Sequence, residues 1–242
     1  MHVVPTMALA AKFLPVRVFR AAKREARAFA KLALLLPYDW GSTVPSEAGP
    51  GDDVVVLVHG TLATAGAWRP LRRRLSELDR THSAVFTYNP ASGVAGVAAA
   101  LASVLRGLPP FVRVHLVGHS LGGLAVRWFV QEMPSDTRVL QTISVAPPFE
   151  GARGARFFPG PAGRDMRRGS PTLVRLARTA GVPNLPHLSI FGTADTAVSA
   201  ETAFPVGDRE IVLGAGHNAL LFDDGVADRI IERVSALRSR SS

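Results

Sequence analysis

The most informative absence from the 242-residue sequence is cysteine. Without a thiol, the chain forms no disulfide, binds no metal through thiolates and has no cysteine nucleophile. It contains no run of about 18 uncharged apolar residues, so no membrane-spanning helix is predicted. No acidic cluster has the spacing of a calcium loop, and we expect neither a metal nor another cofactor. What remains is a chain that is 47% apolar and long enough to bury one sizeable core.

Acidic residues are also scarce. The chain has 19 Asp and Glu against 28 Lys and Arg, a formal net charge of +9. Residues 1–40 hold seven of the basic residues and only Glu25 and Asp39 as acids, so more than half of the excess lies in the first sixth of the chain. This asymmetry favours contacts of the N-terminal segment with anionic surfaces. We predict no nucleic-acid partner.

Residues 1–50 are predicted to form a basic helix and linker that precede the main domain over residues 51–242. Pro15 suits the first turn of the helix, and Pro37 ends it. At 100° per residue, one face of this helix is apolar and another is basic. The apolar face comprises Val18, Ala22, Ala26, Phe29, Ala33 and Leu36, and the basic face comprises Arg20, Lys23, Arg24, Arg27 and Lys31.

Two interpretations of this helix stay open. It packs on the body or on a second subunit with its charged face in solvent, or residues 16–36 lie on an anionic membrane. No clear signal peptide is present, because the basic residues lie within or after the apolar part. We therefore expect a cytoplasmic or peripheral membrane protein. Residues 38–53, rich in Pro, Gly and Ser, are predicted to be a linker.

The rest of the chain alternates between strand-like and helix-like segments. This pattern predicts an α/β fold with a mostly parallel sheet of about six strands, helices on both faces and functional sites at the carboxyl ends of the strands. The predicted strands are Val54–Val58, Ala84–Tyr88, Val112–Val117, Val139–Val145, His187–Phe191 and Arg209–Leu213. The predicted helices lie around Trp68–Leu78, Val94–Leu105, residues 121–132 and Val226–Leu237.

A serine stands at the break between the third strand and the following helix, in Gly118-His119-Ser120-Leu121-Gly122. Glycines two residues before and after it permit a turn tight enough to expose the hydroxyl. A serine hydroxyl becomes nucleophilic only when an imidazole takes its proton and a carboxylate orients that imidazole. The motif alone is common in glycine-rich chains, so it indicates a nucleophile only if the sequence also supplies those two partners.

Asp195 and His217 are the candidate partners. Each follows a predicted strand through a short loop, so each is expected at the same sheet edge as Ser120. The order Ser…Asp…His is that of the α/β-hydrolase arrangement. Glu150 is a rival to Asp195, and His59 is better explained as a structural residue of its loop. Backbone N–H groups of Thr61 and Leu121 are the predicted oxyanion hole, because they are preorganised donors.

Several segments together resemble the bacterial triacylglycerol lipase and esterase branch of the α/β-hydrolases. The resemblance covers about residues 52–238 and implies that fold, the Ser120, Asp195 and His217 triad, and the Thr61 and Leu121 oxyanion hole. The segments are Val-His-Gly-Thr at 58–61, Gly-His-Ser-Leu-Gly-Gly at 118–123, Phe-Gly-Thr-Ala-Asp at 191–195 and Gly-His-Asn-Ala-Leu-Leu at 216–221. Val-Ala-Pro-Pro-Phe-Glu-Gly at 145–151 departs from the family's usual Thr-Pro-His-x-Gly.

Residues 149–168 form a long insertion where a lid or a substrate wall is expected. The predicted substrate contacts are Leu62, His119, Phe149, Phe157 and Phe158. The leading hypothesis is a carboxylic ester hydrolase that cleaves lipid-like or medium-chain acyl esters through an acyl-enzyme. Two alternatives stay open: an acyltransferase or thioesterase with the same triad, and a non-catalytic scaffold recruited to a membrane.

Overall fold

The computed structural model describes the backbone of residues 6–89, 92–202 and 204–238, and side chains from residue 16 onward. Residues 1–5 of the predicted N-terminal segment lie outside the described residues. Seven strands form one sheet in the order β1-β3-β2-β4-β5-β6-β7, in which β1 is antiparallel to β3 and every other pairing is parallel. The strands are β1 (Ser42–Thr43), β2 (Asp53–Val58), β3 (Thr81–Phe86), β4 (Arg113–His119), β5 (Val139–Val145), β6 (His187–Gly192) and β7 (Asp208–Val212).

Helices cover both faces of the sheet, which confirms the predicted α/β architecture. They are α1 (Thr6–Leu35), α2 (Arg69–Leu75), α3 (Gly93–Arg106), α4 (Leu121–Glu132), α5 (Gly160–Asp165), α6 (Pro171–Arg178) and α7 (Asp224–Arg238). Short 3₁₀ turns span Ala65–Trp68, Ala155–Phe157 and Ala219–Phe222.

The apolar run of β2 shows why the chain forms a two-sided core. Val54, Val56 and Val58 pack into a cluster with α3 and α4, whereas Val55 and Leu57 pack into a second cluster with α2 and α7. Successive side chains of a strand point to opposite faces, so Val54–Val58, covered on both sides, is apolar at every position. The entire strand is buried.

A buried polar cluster closes the amino-terminal edge of the sheet. Asp53, at the start of β2, accepts hydrogen bonds from Arg113 (2.8 Å), His115 (3.0 Å) and Arg238 (2.7 Å). Burial alone would raise the pKa of Asp53, but these three donors outweigh it and hold that pKa below its ordinary value. The cluster is therefore a structural ion-pair network at the edge opposite the candidate site.

The structure corrects two expectations about the first 53 residues. The sheet of the described residues has seven strands because Ser42–Thr43, inside the predicted linker, pairs with Val85 and Phe86. The first helix begins at Thr6, so Pro15 lies inside it; the fixed φ of proline is compatible with a helix although one hydrogen bond is lost. The helix ends at Leu35, before Pro37, in agreement with the restriction that proline places on the residue preceding it.

Helix α1 packs on the body, but not through the face that the hydrophobic pattern indicates. Among the side chains of α1 that the structure describes, Ala28 and Leu32 are buried, and they lie against the 3₁₀ turns Ala219–Phe222 and Ala65–Trp68. The side chains of the predicted apolar face are exposed; they are Val18, Ala22, Ala26, Phe29, Ala33 and Leu36. Polar contacts from Arg24 and Glu25 to the body select the buried sector, and periodicity could not reveal them.

The insertion at 149–168 is ordered on the body. It contains the 3₁₀ turn Ala155–Phe157 and α5, and the side chain of Asp165 accepts a hydrogen bond from the Val94 N–H at the start of α3 (2.8 Å). Arg153 N–H donates to the carbonyl of Ala197 (2.8 Å), two residues beyond Asp195. The insertion therefore contacts the loop that carries a candidate catalytic residue.

Candidate active site

The three candidate catalytic residues lie beyond the carboxyl ends of parallel strands. Ser120 directly follows β4, Asp195 lies three residues after β6, and His217 lies five residues after β7. Because these strands run parallel, their following loops emerge at one edge of the sheet. The topology thus places the three loops together, although 97 residues separate Ser120 from His217 along the chain.

Ser120 has an unusual backbone conformation, with φ of 54° and ψ of −119°. A non-glycine residue in such a conformation stores strain and is common at functional sites. The neighbouring glycines make the turn possible: a Cβ at Gly118 would lie 2.2 Å from the carbonyl oxygen of Gly122, and one at Gly122 would lie 2.3 Å from that of Val58. The Ser120 N–H donates to the Val145 carbonyl (2.8 Å), which ties the turn to β5.

Asp195 and His217 form a close pair. The Nδ1–H of His217 donates to Oδ2 of Asp195 at 2.7 Å, and the carboxylate is almost fully buried. Oδ1 of Asp195 accepts the backbone N–H groups of Ala197 and Val198, each at 2.8 Å. Both carboxylate oxygens are therefore engaged, and Nε2 of His217 is the ring nitrogen left to accept a proton.

His119 links His217 to the serine turn. Its Nε2–H donates to the His217 carbonyl at 3.1 Å, and the centroids of the two imidazole rings are 4.9 Å apart. Burial and the nearby His217 keep the pKa of His119 well below its usual value, so His119 is neutral. Within the described part of the chain, Ser120 Oγ makes no hydrogen bond with His217. Catalytic hydrogen bonds of this type often tighten only when substrate binds.

The loop after β2 approaches the serine closely. A Cβ at Gly60 would lie 3.0 Å from the Cβ of Ser120 and 2.9 Å from Nδ1 of His119, so only glycine permits this approach. Thr61 follows directly, and Leu62 adopts a left-handed φ of 59°. Leu121 is the first residue of α4, and a first-turn N–H has no carbonyl partner within its own helix. Leu121 thus directly follows Ser120, and Thr61 directly follows the glycine that closely approaches Ser120.

His59 and Glu150, the other residues considered for the site, lie in different surroundings. His59 Nδ1–H donates to the Gly60 carbonyl (2.8 Å), and its ring stacks on Tyr88 at 4.0 Å between centroids. Burial lowers the pKa of His59 to about 4, which keeps the ring neutral. Glu150, the rival to Asp195, is exposed. No cluster of three or more His, Cys, Asp or Glu suited to a metal ion occurs in residues 6–89, 92–202 and 204–238.

The predicted substrate contacts lie in different surroundings. Leu62 and Phe157 are exposed, at 71% and 76% of their surface, whereas Phe158 is only partly buried against the core. Phe149 is buried and stacks on Phe204 with 3.9 Å between ring centroids. His119 is also buried. Which of them contacts substrate stays a prediction.

Sequence reasoning missed one residue next to the site. Glu25 in α1 accepts hydrogen bonds from the backbone N–H groups of Asn218 and Ala219, directly after His217. The signal available in the sequence was weak: Glu25 is the one acidic residue in a helix that is otherwise basic.

No protein-family model matches the chain, and a search of curated proteins found no similar sequence. Solved structures do match. A lipase of Bacillus licheniformis, BlEst2 in mature form, superposes with a TM-score of 0.66 at 16% identity over 81% of this chain and 97% of its own. The chain has the α/β-hydrolase fold.

Two further structures with this α/β-hydrolase fold are similar. A monoacylglycerol lipase of Paleococcus ferrophilus has a TM-score of 0.56 at 19% identity, covering 78% of this chain and 96% of its own. The carboxylesterase CesB of Bacillus subtilis has a TM-score of 0.52 at 19% identity, covering 89% and 97%. Identities this low establish a shared fold and leave the activity to be argued from the site.

Proposed function

We propose that the protein is a serine carboxylic ester hydrolase with Ser120 as nucleophile, His217 as general base and Asp195 as the residue that orients His217. One observation carries this proposal: the hydrogen-bonded Asp195–His217 pair lies at the same sheet edge as the strained serine turn. The lipases and carboxylesterase among the similar structures support ester hydrolysis as the reaction class.

The proposed reaction proceeds through an acyl-enzyme in two steps. Nε2 of His217 takes the Ser120 hydroxyl proton as Oγ attacks the ester carbonyl, and the N–H groups of Thr61 and Leu121 stabilise the oxyanion. Collapse of this intermediate expels the alcohol, which receives the proton from His217, and leaves the acyl group on Ser120. Water then gives a proton to His217, attacks the acyl carbon and releases the acid, while Ser120 regains its proton.

The test is hydrolysis of p-nitrophenyl esters from acetate to palmitate by the wild type and by Ser120→Ala. We expect the variant to lose at least about 10³-fold in kcat, because no other hydroxyl occupies the serine turn. Ser235→Ala, an exposed serine on α7, is the matched control and should keep full activity. Retained activity in Ser120→Ala would overturn the assignment, and the chain-length profile would define the acyl preference.

The same triad serves an acyltransferase or thioesterase, because water and another acceptor differ only in the second step. Supplying glycerol or a lysolipid and measuring transfer against hydrolysis distinguishes the two. Failure of Ser120 to react with a fluorophosphonate would instead favour the non-catalytic scaffold.

We also propose that the outer face of α1 contacts an anionic membrane. Its exposed apolar side chains include Val18 (62% exposed) and Phe29 (55% exposed). Arg20, Lys23 and Arg27 lie on a separate, basic face of the helix and make no ion pair with any residue that the structure describes. They line a groove of about 360 Å³ between α1 and the turn Ala219–Phe222, which no acid lines. An exposed apolar face together with a face of unpaired cations is typical of interfacial helices.

No helix within the described ranges is long and apolar enough to cross a bilayer. Vesicle flotation tests the peripheral contact directly. The wild type should float with phosphatidylserine-containing vesicles and not with pure phosphatidylcholine, and the double variant Val18→Ser/Phe29→Ser should stay unbound. Val174→Ser/Val182→Ser, which changes exposed apolar residues elsewhere, is the control. Equal flotation of the α1 variant and the wild type would exclude this surface.

A further inference from the structure

Glu25 contacts the backbone on both sides of His217. Its Oε1 accepts hydrogen bonds from the backbone N–H and the side-chain amide of Asn218, each at 2.9 Å. Its Oε2 accepts the backbone N–H of Ala219 at 3.0 Å. One carboxylate, 193 residues away in the sequence, thus receives three donors from the two residues that follow the candidate base.

Gly216, directly before His217, permits this contact. A Cβ at Gly216 would lie 2.3 Å from Oε2 of Glu25 and 2.8 Å from its carboxyl carbon. The carboxylate therefore rests on the backbone where any side chain would displace it. The loop that carries His217 thus contacts two carboxylates. Its backbone donates to Glu25, and the His217 side chain donates to Asp195.

Capping of the 3₁₀ turn after His217 would not by itself require a contact from α1. The 3₁₀ turn Ala219–Phe222 begins at Asn218, but the side chain of Asn218 makes no capping bond to it and donates to Glu25 instead. Docking of α1 has separate contacts: Ala28 and Leu32 are buried, and Arg24 pairs with Asp223. The bonds of Glu25 thus add to this docking at the residues around the base, and Ala219 takes part in both.

The far end of α1 meets the other loop of the site. The Thr64 hydroxyl lies 3.3 to 3.4 Å from the carbonyl oxygens of Leu35, Leu36 and Tyr38. Thr64 is three residues beyond the predicted oxyanion donor Thr61. Ten residues of helix, about 15 Å, separate Glu25 from Leu35. The helix therefore connects the histidine loop with the oxyanion loop.

We propose that Glu25 is a positioning residue for His217: it holds the 216–219 backbone so that Nε2 can reach the Ser120 hydroxyl when substrate binds. This proposal rests on the proposed ester hydrolysis. Glu25 touches no reacting atom and acts through the loop. A base displaced by about 1 Å costs up to about 100-fold in rate, whereas substrate binding at the acyl site is little affected.

The experiment measures kcat and KM on p-nitrophenyl butyrate. Glu25→Ala should lower kcat by about 10- to 100-fold and leave KM within about twofold. Glu25→Gln keeps an oxygen for the Asn218 donors but turns an amide towards the Ala219 N–H, so its kcat should fall between those of the wild type and Glu25→Ala. Glu25→Asp keeps a carboxylate, but its side chain is one methylene shorter and does not reach the loop. Its kcat should resemble that of Glu25→Ala.

Arg24→Gln is the matched control, because it removes the neighbouring contact of α1 with Asp223 and leaves the 216–219 backbone untouched. Its kcat should stay within about threefold of the wild type. An equal loss in Arg24→Gln and Glu25→Ala would assign the effect to helix docking and overturn the positioning role. Unchanged kcat in both Glu25→Ala and Glu25→Gln would also overturn it.

A second measurement separates this proposal from the ester hydrolysis on which it rests. Amide hydrogen exchange at Asn218 and Ala219 reports the Glu25 bonds without any substrate, and both amides should exchange at least about tenfold faster in Glu25→Ala. A wild type inactive on every ester would overturn the hydrolase proposal, and with it the role of Glu25 in catalysis. Unchanged exchange at both amides in an active enzyme would end the positioning proposal alone.

Discussion

Asp195→Asn is the sharpest perturbation of the proposed reaction because the structure dictates how the new amide must orient. Oδ1 of Asp195 accepts two backbone N–H groups, from Ala197 and Val198. An amide NH₂ facing those two donors would forfeit both bonds, at about 1 kcal/mol each before repulsion. The Asn oxygen therefore stays on the backbone, and its NH₂ points at Nδ1 of His217.

That orientation places the proton of His217 on the wrong nitrogen. Nδ1 must accept from the Asn amide, so the neutral imidazole carries its proton on Nε2 and can no longer take one from Ser120. Loss of the correct tautomer and of the carboxylate charge lowers kcat by about 10³- to 10⁴-fold. This corresponds to about 4 to 5.5 kcal/mol of transition-state stabilisation.

The assay is steady-state hydrolysis of p-nitrophenyl butyrate, with ¹⁵N NMR of His217 to identify the protonated nitrogen. KM and the thermal midpoint should change little, because the substitution is isosteric and the backbone hydrogen bonds persist. Glu150→Gln, at the exposed rival acid, should leave kcat unchanged. A kcat of Asp195→Asn within tenfold of the wild type, or a proton still on Nδ1, would refute the reasoning.

Three stability predictions follow from buried residues, each measured as the free energy of unfolding in urea. Gly122→Ala should cost at least about 3 kcal/mol, because its Cβ would lie 2.3 Å from the Val58 carbonyl, and an unchanged midpoint would contradict this. Asp53→Asn should cost about 3 kcal/mol because it removes the buried carboxylate that pairs with the partly buried Arg113 and Arg238, whereas Asp208→Asn at an exposed pair should cost under about 1 kcal/mol. The pKa of His59 is about 4 in the folded chain and about 6.5 in the unfolded chain, so the unfolded chain binds the proton first as the pH falls. His59 should therefore account for about 2 kcal/mol of the stability lost between pH 7 and pH 5. His59→Gln should not show this loss.

The candidate site was largely predictable because its determinants are local. The β-branched run before Gly118 and the apolar spacing after Leu121 specify a strand, a turn and a helix whatever the rest of the chain does. The Asp195 and His217 loops each follow a strand, and parallel strands bring their carboxyl ends to one edge. The sequence therefore determined which sheet edge carries the three residues. The hydrogen bond between Asp195 and His217 came only from the folded chain.

The N-terminal helix shows what only the tertiary structure decided. Periodicity identified a helix with an apolar and a basic face, but the sector that packs on the body was selected by contacts far away in sequence, chiefly those of Glu25 with the residues after His217. A single acid among basic neighbours carries no information about its partner until the fold supplies one. The strand Ser42–Thr43 likewise exists because β3 offers an edge to pair with. Local sequence determines the main helices and strands, whereas non-local contacts determine the short edge strand and which surfaces meet.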